Sequence, residues 1–361
     1  MLFCSDQERE PIMPDISVEY LGLKLANPLI VASSGLTRNA RLIKYCEDAG
    51  AGAVVMKSIF EEDIRRRDKT FKDTLFLHSE VSGYLDAKVG LIYGAQEYCQ
   101  EIKKAKDTVS IPVIASVNCA ESRWWLDYAV QLEGAGADAI ELNLSVPSID
   151  LELSAQECET TFREIVSAVR AQVNIPIAVK MSGQLTAPQN IARKLVEAGA
   201  DALVLFNRQS GLDVDLKKGL AFSTKGDQGL SNPHTIYYPL RWIAILHELI
   251  PEVELSASGG VHSGEAFVKY IMAGATTVQV CSLLYRRGLK EIPVLLDALT
   301  GFLERQRVEE VAQIRGSVTS DLPIGTRDQQ RAEYIELSKS HYLEVDSTNG
   351  GGLVYESHPE D

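Results

Sequence analysis

The chain has 361 residues, 45% of them apolar, which allows a large core, yet no apolar run reaches the roughly 18 residues of a membrane span. A formal net charge of −14 argues against nucleic acid and anionic membrane as partners. The six cysteines (4, 46, 99, 119, 158 and 281) form no C-x-x-C pair, which disfavours a zinc or iron–sulfur site and fits a reducing, cytoplasmic setting.

Residues 1–14 read as a leader without fixed structure. Met1–Glu10 lacks the basic stretch and apolar block of a signal peptide, and Met13 offers a second start. Beyond it an internal repeat emerges: Ala49-Gly-Ala-Gly-Ala-Val-Val-Met-Lys57, Ala135-Gly-Ala-Asp-Ala-Ile-Glu-Leu-Asn143, Ala198-Gly-Ala-Asp-Ala-Leu-Val-Leu-Phe-Asn207 and Ala273-Gly-Ala-Thr-Thr-Val-Gln-Val-Cys281. Each is a helix end, a glycine stop and a buried strand finishing in a polar or small residue, which suits parallel strands covered on both faces. Leu29–Ser33, Val113–Asn118, Ile177–Ser182 and Glu254–Gly260 complete a set of eight strands.

Helical patterns separate them. Phe162, Ile165, Val166 and Val169 share one helix face, and Ser154 with Glu157 makes a capping box ahead of it. Eight strand–helix units predict an α/β fold of the (β/α)8 TIM-barrel type over residues 15–316. A doubly wound open sheet is the competitor, but no G-x-G-x-x-G follows any strand. Two connections are long, so loop insertions are expected after strands 2 and 6, on the face where barrel active sites lie. The first carries Arg65, Arg66, Arg67, His78 and Tyr84; the second carries Lys217, Lys218, Lys225 and Asn232-Pro233. Residues 317–361 are polar, contain Asn349-Gly-Gly-Gly352, and read as a tail outside the barrel.

In such barrels the C-terminal strand ends line the site. They deliver Ala32, Ser33 and Ser34; Lys57 and Ser58; Asn118; Asn143 and Ser145; Lys180; Asn207; Gly259 and Gly260; Cys281 and Ser282. Two lysines and three asparagines offer donors to a planar, electron-rich ligand and positive charge for a developing anion. No Asp or Glu ends a strand, so no metal site is expected. The paired glycines after strand 7 and the small residues after strand 8 suit a phosphate.

At this point the strand ends resemble the dihydroorotate dehydrogenases. Asn27-Pro-Leu-Ile-Val-Ala-Ser33, Lys57-Ser58, Asn143-Leu-Ser-Val-Pro-Ser148, Val179-Lys180, Asn207 and Ser258-Gly-Gly-Val261 follow the family order. The resemblance implies an FMN-binding barrel that oxidises dihydroorotate to orotate in pyrimidine biosynthesis, passing hydride to flavin N5. Ala32, Ser33, Lys57, Ser58, Asn118, Asn143 and Lys180 would touch the ring or ribityl chain. Gly259, Gly260, Cys281 and Ser282 would hold the phosphate. Asn143, Ser148, Asn207 and Arg208 would contact the small-molecule substrate. It also implies the soluble class of the family, a homodimer and a separate electron acceptor that the sequence does not identify.

The chain departs from the family pattern at several positions: Cys281-Ser282 stands where the family more often has Gly-Thr, and the substrate asparagine of the loop after strand 2 has no counterpart near Gly83. Val146 stands where the family has the Cys or Ser that takes the substrate proton, Ser148 replaces an asparagine, and Arg208 replaces a small hydroxyl residue. Catalytic duty is therefore expected of Lys57, Lys180 and Ser145, with Ser148, Cys119, His78 and Tyr84 as other replacements for the base. The alternatives are a flavoenzyme acting on another small cyclic substrate, as dihydropyrimidine dehydrogenases do, a Schiff-base aldolase using Lys57 or Lys180, and a non-catalytic flavin- or phosphate-binding protein.

Overall fold

The computed structural model describes residues 13–60, 95–118, 122–144, 150–208, 211–217, 219–223 and 229–319, with short pieces at 331–332, 335, 344–345 and 353–354. Contacts divide the chain into a unit ending at Thr319 and a second beginning at Ser320. In the second, Glu344–Val345 pairs antiparallel with Leu353–Val354.

The first unit opens with a hairpin, β1 (Val18–Tyr20) against β2 (Leu23–Leu25). The barrel strands follow: β3 (Leu29–Val31), β4 (Ala53–Val55) with its continuation β5 (Ile59–Phe60), β6 (Val113–Asn118), β7 (Ala139–Leu144), β8 (Ile177–Met181) and β9 (Ala202–Leu205). A second hairpin, β10 (Leu212–Asp215) with β11 (Leu220–Ser223), precedes β12 (Glu254–Ser258) and β13 (Thr277–Val280). All barrel pairings are parallel; β13 pairs with β3, β3 with β4 and β4 with β6, which closes the eight-stranded barrel. The helices are α1 (Ala40–Asp48), α2 (Ala95–Thr108), α3 (Ser122–Gly134), α4 (Ala155–Arg170), α5 (Pro188–Glu197), α6 (Tyr237–Leu249), α7 (Gly264–Met272), α8 (Ser282–Arg287) and α9 (Glu291–Gln306). The expected (β/α)8 barrel is present. Most of the loop expected after strand 2 lies outside the described residues, while the connection after β9 contains the β10–β11 hairpin.

The repeat has a structural basis. Gly50, Gly136, Gly199 and Gly274 all hold φ between +92° and +112°, the left-handed turn that ends each helix. The aspartate two residues later then fixes the neighbouring strand. Asp138 Oδ2 accepts from Val113 N at 2.7 Å, and Asp201 Oδ2 accepts from Ile177 N at 2.8 Å. In the first copy Asn27 caps its own strand, with Oδ1 accepting from Leu29 N, and it lies so close that a Cβ on Gly52 would stand 2.2 Å from Asn27 O. Aspartate cannot occupy that position.

Strand alternation sorts the core into two layers. Outward residues such as Val54, Leu142, Val179 and Leu203 pack under the helices, while Ile30, Ala53, Val55, Ile114, Ala139, Ala178, Ala202 and Val204 face the lumen. Bulky side chains usually fill such a lumen. Here four alanines leave room, and the N-terminal hairpin fills it from below with Tyr20, Leu21 and Leu25, each at most 2% exposed.

Candidate functional site

The upper ends of the first strands are tied by hydroxyls. Ser58 N donates to Ser33 Oγ at 2.8 Å, and Ser58 Oγ lies 3.0 Å from Ser33 Oγ and 2.8 Å from Ser116 Oγ. Tyr98 OH, reaching in from α2, accepts from Ser116 N at 3.1 Å. This chain holds the upper ends of β3, β4 and β6 in register beneath Lys57, whose half-buried ammonium lies 5.1 Å from the centre of the Phe60 ring.

Across the mouth the expected asparagines meet. Asn207 Nδ2 donates to Asn143 Oδ1 at 3.0 Å, and Asn118 Nδ2 points at Asn143 O at 3.4 Å. Arg208 is exposed and turned toward the loop after β9, with Nη1 donating to Gly229 O at 2.9 Å. Lys180 is buried, and its register partner on β7 is Asn143.

Two residues that strand-end reading missed complete this side. Lys180 Nζ donates to Gln279 Oε1 at 2.8 Å, and Gln279 Nε2 donates to Glu141 Oε2 at 2.5 Å. Glu141 is 1% exposed; its Oε1 accepts no hydrogen bond and faces Lys180 Nζ at 3.6 Å. No Asp or Glu ends a barrel strand, as expected, but a carboxylate lies one inward layer beneath the strand ends. Glu141 lies mid-strand, two residues below Asn143 on the same inward face, where alternation points both side chains into the lumen. That period-2 spacing was a readable signal.

The strand 7 and 8 ends lie side by side, with Ser258 in register with Gln279. Gly259 has φ +103° and a Cβ placed there would meet nothing nearer than Pro239 Cγ at 4.0 Å, so the backbone borders open space. Gly260, at φ +71°, packs so closely that a Cβ would lie 2.3 Å from Ile236 N. Ser282 Oγ accepts from Ser231 N at 3.0 Å, and Ser231 Oγ lies 3.2 Å from His262 Nε2. Burial and the nearby Arg286 charge push His262 below the usual histidine range, which favours a neutral ring. Burial raises the Cys281 thiol, opposed by a Ser34 hydrogen bond and the charges of Lys180 and Arg208, so the thiol stays protonated near neutrality.

Ser145, Val146, Ser148, Cys119, His78 and Tyr84 lie outside the described residues. Among the described residues no group of three or more His, Cys, Asp or Glu could hold a metal ion, and no helix is long and apolar enough to cross a membrane. A groove of about 580 Å³ lined by Arg163, Glu164, Ser167, Lys194 and Glu197 belongs to the outer helices, away from the strand ends. The mouth thus combines a fixed cation, amide donors and acceptors, and an open glycine-backed rim, a set suited to a flat polar ring bearing an anionic tail.

The chain is similar to known proteins over most of its length. A family model described as dihydroorotate dehydrogenase matches residues 15–303. The catalytic subunit of a dihydroorotate dehydrogenase B (NAD(+)) from Thermoplasma volcanium is 30% identical over 308 residues, covering 84% of this chain and 98% of that protein. Its namesake from Methanosarcina acetivorans is 32% identical, covering 82% of this chain and 93% of that protein. The one from Methanocaldococcus jannaschii is 27% identical over 81% of this chain and 95% of its own length.

Proposed function

The chain belongs to the dihydroorotate dehydrogenase family, and from that premise we propose that it is an FMN-dependent oxidoreductase exchanging hydride with a small cyclic substrate of the dihydroorotate type. The observation that carries this reading is the buried Lys180 ammonium, whose register partner is Asn143, in a barrel whose seventh strand ends in a glycine pair with open space beside Gly259. The donor set fits FMN. Lys180, Lys57, Asn118, Asn143, Ser33 and Ser58 would border the ring and ribityl chain. Gly259, Gly260, Cys281 and Ser282 would border the phosphate; the open space beside Gly259, where a Cβ would meet nothing nearer than 4.0 Å, supports that reading.

FMN, when bound, supplies an N5 that takes hydride and a ring edge that gains negative charge. Lys180 contributes a preorganised positive charge to that edge, which acts without reorganisation at the moment of reaction. Asn143 and Asn207 are already joined to each other and present one paired surface to a substrate amide or carboxylate. Arg208 adds positive charge toward the outer lip. Oxidation of dihydroorotate also requires removal of a carbon-bound proton, and Val146 has no group to accept it. A missing general base costs about 10²–10⁴ in rate, so dihydroorotate turnover is expected to be slow unless Ser145 or Ser148 acts. A second reading is oxidation of another small cyclic substrate, of the dihydropyrimidine type, whose carbon-bound proton would leave to a group other than residue 146 while hydride passes to the flavin.

For Lys180 the Schiff-base alternative is disfavoured by geometry. A nucleophilic amine needs its lone pair free, whereas Lys180 Nζ donates to Gln279 Oε1 at 2.8 Å with the Glu141 carboxylate at 3.6 Å. The test is anaerobic titration of the purified protein with dihydroorotate. The expected result is a yellow protein whose colour bleaches as the flavin is reduced. A colourless protein that added FMN cannot colour contradicts the cofactor assignment; a yellow protein bleached by dihydrouracil but not by dihydroorotate moves the substrate to the second reading.

A further inference from the structure

Glu141 is the least expected side chain in the barrel. It is buried, its Oε1 accepts no hydrogen bond, and a pair of apolar residues in place of a buried ion pair is often equally stable. Fold stability alone therefore does not account for a carboxylate and an ammonium in this lumen. Their arrangement is directional. In the register of β7 and β8, Glu141 stands opposite Ala178 and Asn143 opposite Lys180, so the lysine lies one inward layer above the carboxylate. A direct contact at charge-assisted distance would be about 2.7–2.9 Å, yet Nζ stands at 3.6 Å and bonds Gln279 Oε1 instead. The Gln279 amide has only one sensible orientation: its NH2 must face the carboxylate and its oxygen must face the ammonium. Glutamine thus acts as a wedge that polarises between two charges and keeps the lysine up toward the mouth.

We propose that Glu141, acting through Gln279, is a positioning residue for Lys180, fixing where the ammonium stands at the mouth and tempering the charge that a bound ring meets. The second half of this statement rests on the flavin assignment above; the first half does not. Removing the carboxylate leaves a stronger positive field at the ring edge, which favours the anionic reduced flavin. Removing the wedge lets the lysine settle onto Glu141, away from the mouth, and weakens that field. The two substitutions therefore act in opposite directions, an outcome that a merely structural role does not produce.

Two measurements test this. The first is a double-mutant cycle for unfolding, with Glu141→Gln, Lys180→Met and the pair, in protein without added flavin. The expected result is non-additivity of at least about tenfold in the unfolding constant; additive effects overturn the proposal. If Glu141→Gln does not fold, the cycle is run with Gln279→Met and Lys180→Met under the same criterion. The second is the midpoint potential of bound FMN at about pH 6, well below the ordinary lysine range. Glu141→Gln is expected to raise the preference for reduced over oxidised flavin about tenfold, about 30 mV for a two-electron couple, and Gln279→Leu to lower it. Shifts of the same sign, or none, overturn the tempering role. Failure to bind FMN overturns the flavin assignment instead, and the unfolding cycle still decides whether Glu141 holds Lys180.

Discussion

Two residues along a strand separate the lower lumen of this barrel from its mouth, and over that distance the same inward face changes from alanine to charge. Ala139 gives way to Glu141 and Asn143, Ala178 to Lys180, and Ile114 to Ser116 and Asn118. Below, small side chains make room for the Tyr20–Leu25 hairpin, and the lumen is packed mainly by apolar groups. Above, polar atoms hold one another in place: a serine chain on one side, an asparagine pair and a lysine–glutamine–glutamate relay on the other. If the proposed function holds, stability and chemistry sit at opposite ends of the same strands, the usual division of labour in this architecture.

That division can be broken from either end. Tyr20→Ala should have the largest effect, about 3–5 kcal/mol of stability from the cavity it leaves. Denaturant unfolding would show it, while FMN affinity in the folded protein stays near that of the parent. A loss of FMN affinity as large as the loss of stability would show that the ends are not separate. Lys180→Ala should do the reverse. Flavin reduction is expected to slow about 10²–10³-fold with the fold retained, and stopped-flow kinetics unchanged from the parent would rule out its assigned role.

A smaller effect is expected at Glu47, on the lower side. Burial works against its charged form, but hydrogen bonds from Ser110 and the Lys44 charge outweigh burial and hold the carboxyl at about 2, below its ordinary 4.5. A depressed carboxyl stabilises the fold above the unfolded value, and that contribution is lost as pH falls from about 4.5 toward about 2. Allowing for its partial exposure, the loss should be about 2 kcal/mol. Glu47→Gln should flatten the stability profile in that window, and an unchanged slope would refute the assignment. Val146→Cys should have the smallest effect, raising dihydroorotate turnover by at least about tenfold through restored proton transfer. No gain would place the base elsewhere or indicate a different substrate.

Much of the fold was readable because the repeat encodes it. Glycine with positive φ, then aspartate, then an apolar run marks the start of a strand, and the aspartates prove to fix their neighbours. The strand ends were readable for the same reason: once the strands are in order, the barrel brings Lys180, Asn143, Asn118 and Asn207 to one mouth. Glu141 and Gln279 escaped because attention to terminal residues passes over the layer beneath, although alternation from Asn143 and Cys281 points to both. The N-terminal hairpin escaped for a different reason. Val18–Leu25 is too short and mixed to stand out as strands, and its apolar residues acquire meaning only once four alanines elsewhere in the chain leave them a space.

The central claim is that this mouth holds a flavin ring with its phosphate against the glycine pair. Fluorescence titration of FMN with flavin-free protein tests it most directly. The account predicts saturable quenching at one FMN per chain, with markedly weaker quenching of riboflavin, which lacks the phosphate. No saturable quenching of FMN would contradict it.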